Sequence, residues 1–259
     1  MKMPVIFIGH GSPMNALKNS KASLAWRELG KKLEKPKAIL AISAHWYTNE
    51  TYIQSSDKPT QIYDMYGFPD ELYKIKYNVN GNKNLTKRIL ELLDENVSID
   101  NGWGIDHGMW SALVHMYPNT DIPIVQLSID RTKNSEMHYF LGKKLNQLRE
   151  EGFLILASGN IVHNLRELDP NNELRQETRE FDEWIKESIL KNNIDNPINY
   201  YKHTLSKFAV PTAEHYIPLI YAIGAADKSD KIEIFNNYYE LGSISMTSYI
   251  FNPNSKNYL

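Results

Sequence analysis

Ala38-Ile39-Leu40-Ala41-Ile42-Ser43-Ala44-His45 decides the fold. A run this apolar, with no alternation of polar residues, reads as a strand buried on both faces, the mark of a parallel sheet covered by helices. Working outward, Val5-Ile6-Phe7-Ile8, residues 122–129 and Phe153-Leu154-Ile155-Leu156-Ala157 read the same way. Between these runs apolar residues fall at helical spacing: Leu24, Trp26, Leu29 and Leu33, then Leu85, Ile89, Leu92 and Leu93, then Met137, Phe140, Leu141, Leu145 and Leu148. Strand and helix alternate, so the class is α/β. Residues 173–193 predict a further helix, as do residues 214–226, with Pro218 in the early turns of the latter; residues 232–235 and 243–251 are strand-like. No linker or repeat divides residues 1–259, which predicts a single domain with residues 51–81 as a long insertion or lid.

Composition narrows the function. A hydrophobic share of 42% excludes disordered and fibrous classes, and Lys+Arg 29 against Asp+Glu 31 removes any electrostatic case for nucleic acid or an anionic membrane. A small-molecule ligand is the default. The chain has no cysteine, which excludes disulfide frameworks, thiolate metal sites and a cysteine nucleophile. No segment approaches the ~18 to 20 apolar residues of a membrane span, and Val5-Ile6-Phe7-Ile8 is too short for a signal-peptide core, so the expected location is cytoplasmic. Asn-x-Ser/Thr matches at Asn49, Asn84 and Asn96 are then chance matches. Gly9-His10-Gly11-Ser12-Pro13 lacks the last glycine of a dinucleotide fingerprint, and no serine sits in a nucleophile elbow; Ser12, Ser43 and Ser158 are read as structural.

The histidines carry the chemistry. His10 follows the first strand, His45 directly follows the second, and His163 comes six residues after the fourth. Ligands of open α/β sheets bind beyond the carboxyl ends of the strands, so these three could converge on one crevice and hold a metal through imidazole. Trp46 and Tyr47 would add an apolar wall. His107, in Gly102-Trp103-Gly104-Ile105-Asp106-His107-Gly108, has two readings: part of a loop shaped against a ligand, or the first turn of a helix capped by Asp106. His215 beside Glu214 is ambiguous in the same way. His115, His138 and His203 have no supporting context.

Taken in order, Ile8-Gly9-His10-Gly11-Ser12-Pro13-Met14, Ser43-Ala44-His45-Trp46, Ile62-Tyr63-Asp64-Met65-Tyr66-Gly67-Phe68-Pro69, Gly104-Ile105-Asp106-His107-Gly108, Ser158-Gly159-Asn160-Ile161-Val162-His163-Asn164-Leu165 and Pro211-Thr212-Ala213-Glu214-His215-Tyr216 form a specific set. The set resembles the class III extradiol ring-cleaving dioxygenases, and among them the 4,5-DOPA extradiol dioxygenase branch. The resemblance implies a single catalytic α/β domain with a mixed, largely parallel sheet flanked by helices. It also implies a mononuclear metal: Fe(II) for oxygen chemistry, with Zn(II) able to occupy the same type of site. By motif His10, His45 and His215 match metal ligands, with Glu214 as the substitute for His215. His163 matches the active-site base, close enough to the metal to serve as a fourth ligand without substrate, and His107 matches a second active-site histidine. The implied reaction takes a catechol such as L-DOPA and O2 to a muconic semialdehyde. A zinc-dependent hydrolase on the same histidines and a non-enzymatic metal-binding relative are the alternatives. Residues 63–69 are a candidate substrate wall, or else pack the insertion down.

Overall fold

The computed structural model describes every residue except Met1, Lys18 and Ser255. Its frame is an eight-stranded sheet. In chain order the strands are β1 (Val5–Gly9), β2 (Ala38–Thr48), β3 (Tyr52–Ile53), β4 (Ser98–Ile99), β5 (Ile124–Asp130), β6 (Phe153–Gly159), β7 (Lys231–Phe235) and, after a two-stranded hairpin of β8 (Tyr239–Glu240) and β9 (Ile244–Ser245), β10 (Ser248–Asn252). The four runs read as doubly buried strands are the central four, in the order β5-β2-β6-β1, all parallel. Antiparallel pairing of β10 on β1 and β7 on β10 closes one edge, and β3 joins β5 antiparallel at the other, which makes the sheet mixed.

Period-two alternation divides each central strand between two cores. Phe7, Leu40, Leu127 and Ile155 face one core, formed with helices α2 (Lys83–Leu93), α4 (Ser135–Leu145), α5 (Gln176–Leu190) and α6 (Ile217–Ala225). Ile6, Ile39, Ile124 and Leu154 face the other, with α1 (Lys21–Lys32) and α3 (His107–Met116). Helix α6 is buried along its whole length, as its almost uniformly apolar sequence requires. No helix among the described residues is long and apolar enough to cross a membrane.

Several boundaries differ from the sequence reading, among them that of β2, which runs through His45 to Thr48 instead of ending before it. The helix expected over 214–226 starts at Ile217, because proline lacks an N–H and fits only a first turn; Glu214 and His215 lie in the turn before it, closed by Tyr216 N donating to Ala213 O at 3.0 Å. The apolar pattern from Met137 to Leu148 spans α4 and a separate short helix, Gln147–Glu150. Residues 243–251 are two strands, broken at Met246 and Thr247. The insertion at 51–81 is not wholly irregular either: it holds β3 and a short helix, Asp70–Tyr73.

Candidate metal centre

β2, β6 and β1 are adjacent in the sheet, and their carboxyl ends deliver the histidines to one place. His10 leaves β1 with its N–H donating to Gly159 O at 3.1 Å, so it continues the pairing of β1 with β6. His45 lies where the register between β2 and β5 slips, between Ile42 and Tyr47. Such an irregularity re-aims a side chain that strict alternation would place elsewhere. His215 arrives from the turn before α6, its carbonyl accepting from Asn160 N at 2.9 Å. This approach requires Gly159, where a Cβ would stand 2.1 Å from His215 O.

His10, His45 and His215 each offer one ring nitrogen within 4.8 Å of the others, a spacing that one metal ion could bridge. Glu214 is not among the three. His163 stands beside the group: its ring stacks on that of His215 at 3.6 Å between centroids and 7° between planes. His107 stacks on His45 at 4.0 Å from the other side. His107 opens α3 and also lines the cleft, but the expected side-chain cap from Asp106 is not formed.

The donor chemistry fits a metal. Ser158 Oγ donates to Gly108 O at 2.6 Å, so toward His10 Nδ1, 2.9 Å away, it can only accept. His10 therefore carries its proton on Nδ1 and leaves Nε2 as a lone pair. His215 Nδ1 lies 3.2 Å from Glu214 Oε1, which also accepts from Thr212 Oγ1. His45 Nδ1 lies 3.1 Å from Asp64 Oδ2 and 3.4 Å from Asp106 Oδ1. In His10 a hydroxyl and in His215 a carboxylate faces Nδ1, while the Nδ1 of His45 lies near two carboxylates without a formed hydrogen bond; oxygen partners of this kind orient metal-binding histidines.

Electrostatics agree. Burial first, then the neighbouring imidazoles, lower the pKa of His10 and of His215 well below the usual histidine range, so both are neutral, as ligands must be. Burial opposes charge on His45 too, but Asp106 and Asp64 outweigh it and raise its pKa to about 9. These two carboxylates stabilise a cation at that ring, and a metal held by the ring would satisfy them as a proton does. Burial lowers His163 to about 4, which leaves it neutral at ordinary pH.

A three-histidine centre at the strand ends, flanked by two further histidines, is the arrangement expected of a ring-cleaving oxygenase, and comparison with known proteins decides the matter. The family model described as the catalytic LigB subunit of aromatic ring-opening dioxygenase matches residues 4–252. The chain belongs to this family. It is 41% identical, over 95% of its length and 94% of the relative's, to a protein named 4,5-DOPA dioxygenase extradiol from Escherichia coli (strain K12). A protein of the same name from Beta vulgaris is 39% identical over 95% of both chains. The crystal structure of an uncharacterized protein from Escherichia coli K12 matches with a TM-score of 0.85 at 37% identity, over 97% of this chain and 100% of that one. The LigB-family chain is thus an extradiol ring-opening dioxygenase, a metal-dependent oxidoreductase acting on a small molecule and O2. The family decides for the oxygenase over the zinc-dependent hydrolase and the non-enzymatic relative.

The cleft of this dioxygenase has a volume of about 400 Å³. Its walls are not those expected, since neither Trp46 nor Tyr47 lines it; Pro13, Met65, Phe68, Leu165, Leu168 and Ile244 do. The 63–69 loop divides its labour. Asp64, Met65 and Phe68 face the cleft, whereas Tyr63 donates from its hydroxyl to Ile75 O at 2.6 Å and packs on Trp110. His115, His138 and His203 line no part of the cleft; His115 sits 2.9 Å from Asn15 O, His138 packs near Tyr221 and His203 against Trp184.

Four residues of the centre escaped the sequence reading. Asp64 bridges two histidines: its Oδ1 accepts from His107 N at 2.8 Å and lies 3.0 Å from His107 Nδ1, while Oδ2 faces His45. Asp106 sits at the N-cap of α3 but makes no cap hydrogen bond; it accepts instead from Ser43 Oγ at 2.6 Å, Gln126 Nε2 at 2.5 Å and Trp103 Nε1 at 3.2 Å. Ser43 and Ser158, read as structural, support the centre through Asp106 and His10, and Ser12, which accepts from Met14 N at 3.2 Å, also lines the cleft. Ser158→Ala is expected to weaken metal binding by about ten- to a hundredfold with the fold intact, read by chelator competition. Unchanged affinity would remove Ser158 from any role in orienting His10.

Proposed function

We propose that the dioxygenase opens a catechol such as L-DOPA beside its diol, with Fe(II) as the working metal, to a muconic semialdehyde. The observation that supports this most is a neutral imidazole, His163, set against a three-imidazole group inside a largely apolar cleft. His10, His45 and His215 would hold the Fe(II), which when bound supplies a common site for catechol and O2 and a path for electrons between them. His163 accepts a phenolic proton at a ring nitrogen; a neutral imidazole so placed suits a general base. In this reading it can also complete the metal's coordination before substrate arrives. His107, held through its backbone N–H and beside its Nδ1 by Asp64, directs a hydrogen bond to oxygen. Met65, Phe68 and Leu165 enclose the ring and limit water. Because the histidines run from position 10 to position 215, residues 1–259 act as one catalytic domain.

The test is isotopic. Under labelled O2, with the aldehyde trapped by rapid reduction, the ring-opened product should carry both labelled atoms, one from the new aldehyde and one in the new carboxylate. A product with a single labelled atom, or none, would contradict the reading.

A further inference from the structure

We propose that Asp182 is a positioning residue for His163, acting through the β8–β9 hairpin. The inference rests on the reading of His163 as the general base.

Asp182 lies in α5 and is completely buried. Its carboxylate accepts from three hydroxyls: Ser245 Oγ at 2.5 Å on Oδ1, and Thr247 Oγ1 at 2.9 Å and Tyr239 Oη at 3.2 Å on Oδ2. All three donors belong to the hairpin or to the residues just after it. A buried carboxylate is a costly way to fill a core position that an apolar side chain could occupy, so what it holds matters. Burial raises its pKa to about 6, against the opposing hydroxyls and Lys186.

What the hairpin holds is the segment of His163. Ser245 N donates to Val162 O at 3.0 Å, and Asn160 Nδ2 donates to Ser245 O at 2.7 Å. On the far side Asn164 N donates to Ser243 O at 3.3 Å, and Ser243 Oγ returns a bond to Asn164 O at 2.8 Å. His163 itself pairs with Ile244 in an antiparallel bridge. The residues flanking the base are therefore tied to Ser243 and Ser245, and Ser245 is tied to Asp182. Ile244, between them, also forms part of the cleft wall. Asp182 makes no hydrogen bond to His10, His45 or His215, so its loss is expected to act first on the segment of the base and to leave metal binding near that of the parent.

The test is a double-mutant cycle on the Fe(II)-loaded enzyme with L-DOPA as probe. Asp182→Asn keeps the shape but turns an amide NH2, a donor, toward hydroxyls that donate to the native carboxylate. It is expected to lower kcat by about tenfold, with KM and metal stoichiometry within about twofold of the parent. In a His163→Ala background the same substitution should change kcat by less than about twofold, because the group it positions is gone. Tyr239→Phe removes one donor from a partly exposed site and should show a smaller loss with the same non-additivity, which keeps the test open if the asparagine variant does not fold. Equal fold-losses in both backgrounds, an unchanged kcat, or an effect confined to KM or metal content would overturn the positioning role while leaving His163 as base. If His163→Ala alone leaves kcat unchanged, both readings fall.

Discussion

His163→Ala should slow catechol turnover by about a hundredfold or more, the usual scale for losing a general base, while Fe(II) stoichiometry and anaerobic catechol binding stay near those of the parent. Burial holds this ring neutral, with its pKa lowered to about 4, so in the parent it is unprotonated at ordinary pH. It stacks on His215 without joining the group of three, so truncation leaves His10, His45 and His215 in place. Single-turnover kinetics separate proton transfer from product release. Unchanged single-turnover rates would remove His163 from the chemistry, and loss of the metal would make it an obligatory ligand instead.

His45→Ala should abolish stoichiometric metal binding. The substitution removes one of the three nitrogens and also strips the cationic partner from Asp64 and Asp106, two carboxylates that lie 3.1 and 3.4 Å from its Nδ1. Far-ultraviolet circular dichroism should remain that of the parent, because the strand that carries His45 is paired on both edges along Ile39, Leu40, Ala41 and Ile42. Metal content measured by mass spectrometry after dialysis checks the outcome. A full equivalent of metal in this variant would exclude His45 from the ligand set.

Much of the fold was legible because strands buried on both faces must be apolar throughout, and Val5, Ala38, Ile122 and Phe153 each begin such a run. The mixed character of the sheet came from family resemblance; a terminal antiparallel strand such as β10 carries no local mark of its direction. The start of α6 was misplaced because Pro218 is tolerated in a first turn, and the periodicity alone extends past it. In the centre, His10 was legible from its place at a strand end, and His45 from the apolar run before it, although β2 continues past His45 to Thr48. Asp64 was not, since its partners are 19 residues upstream and 43 downstream and no local pattern joins them. Asp106 carried a misleading signal: an acid before a helix reads as a cap, and here the carboxylate turns to Ser43 and Gln126 instead. Asp182, between Arg179, Glu180 and Glu183, looks like one more charge on an exposed helix face until the hairpin is folded over it.

The most direct test of the central claim is anaerobic reconstitution of metal-free protein with Fe(II) and, in parallel, with Zn(II), followed by L-DOPA and air while absorbance and oxygen uptake are recorded. The account predicts a yellow semialdehyde chromophore and matched oxygen consumption in the iron sample alone, because Zn(II) has no redox chemistry to offer. Absence of oxygen uptake with either metal across a panel of catechols, or equal activity with zinc, would contradict it.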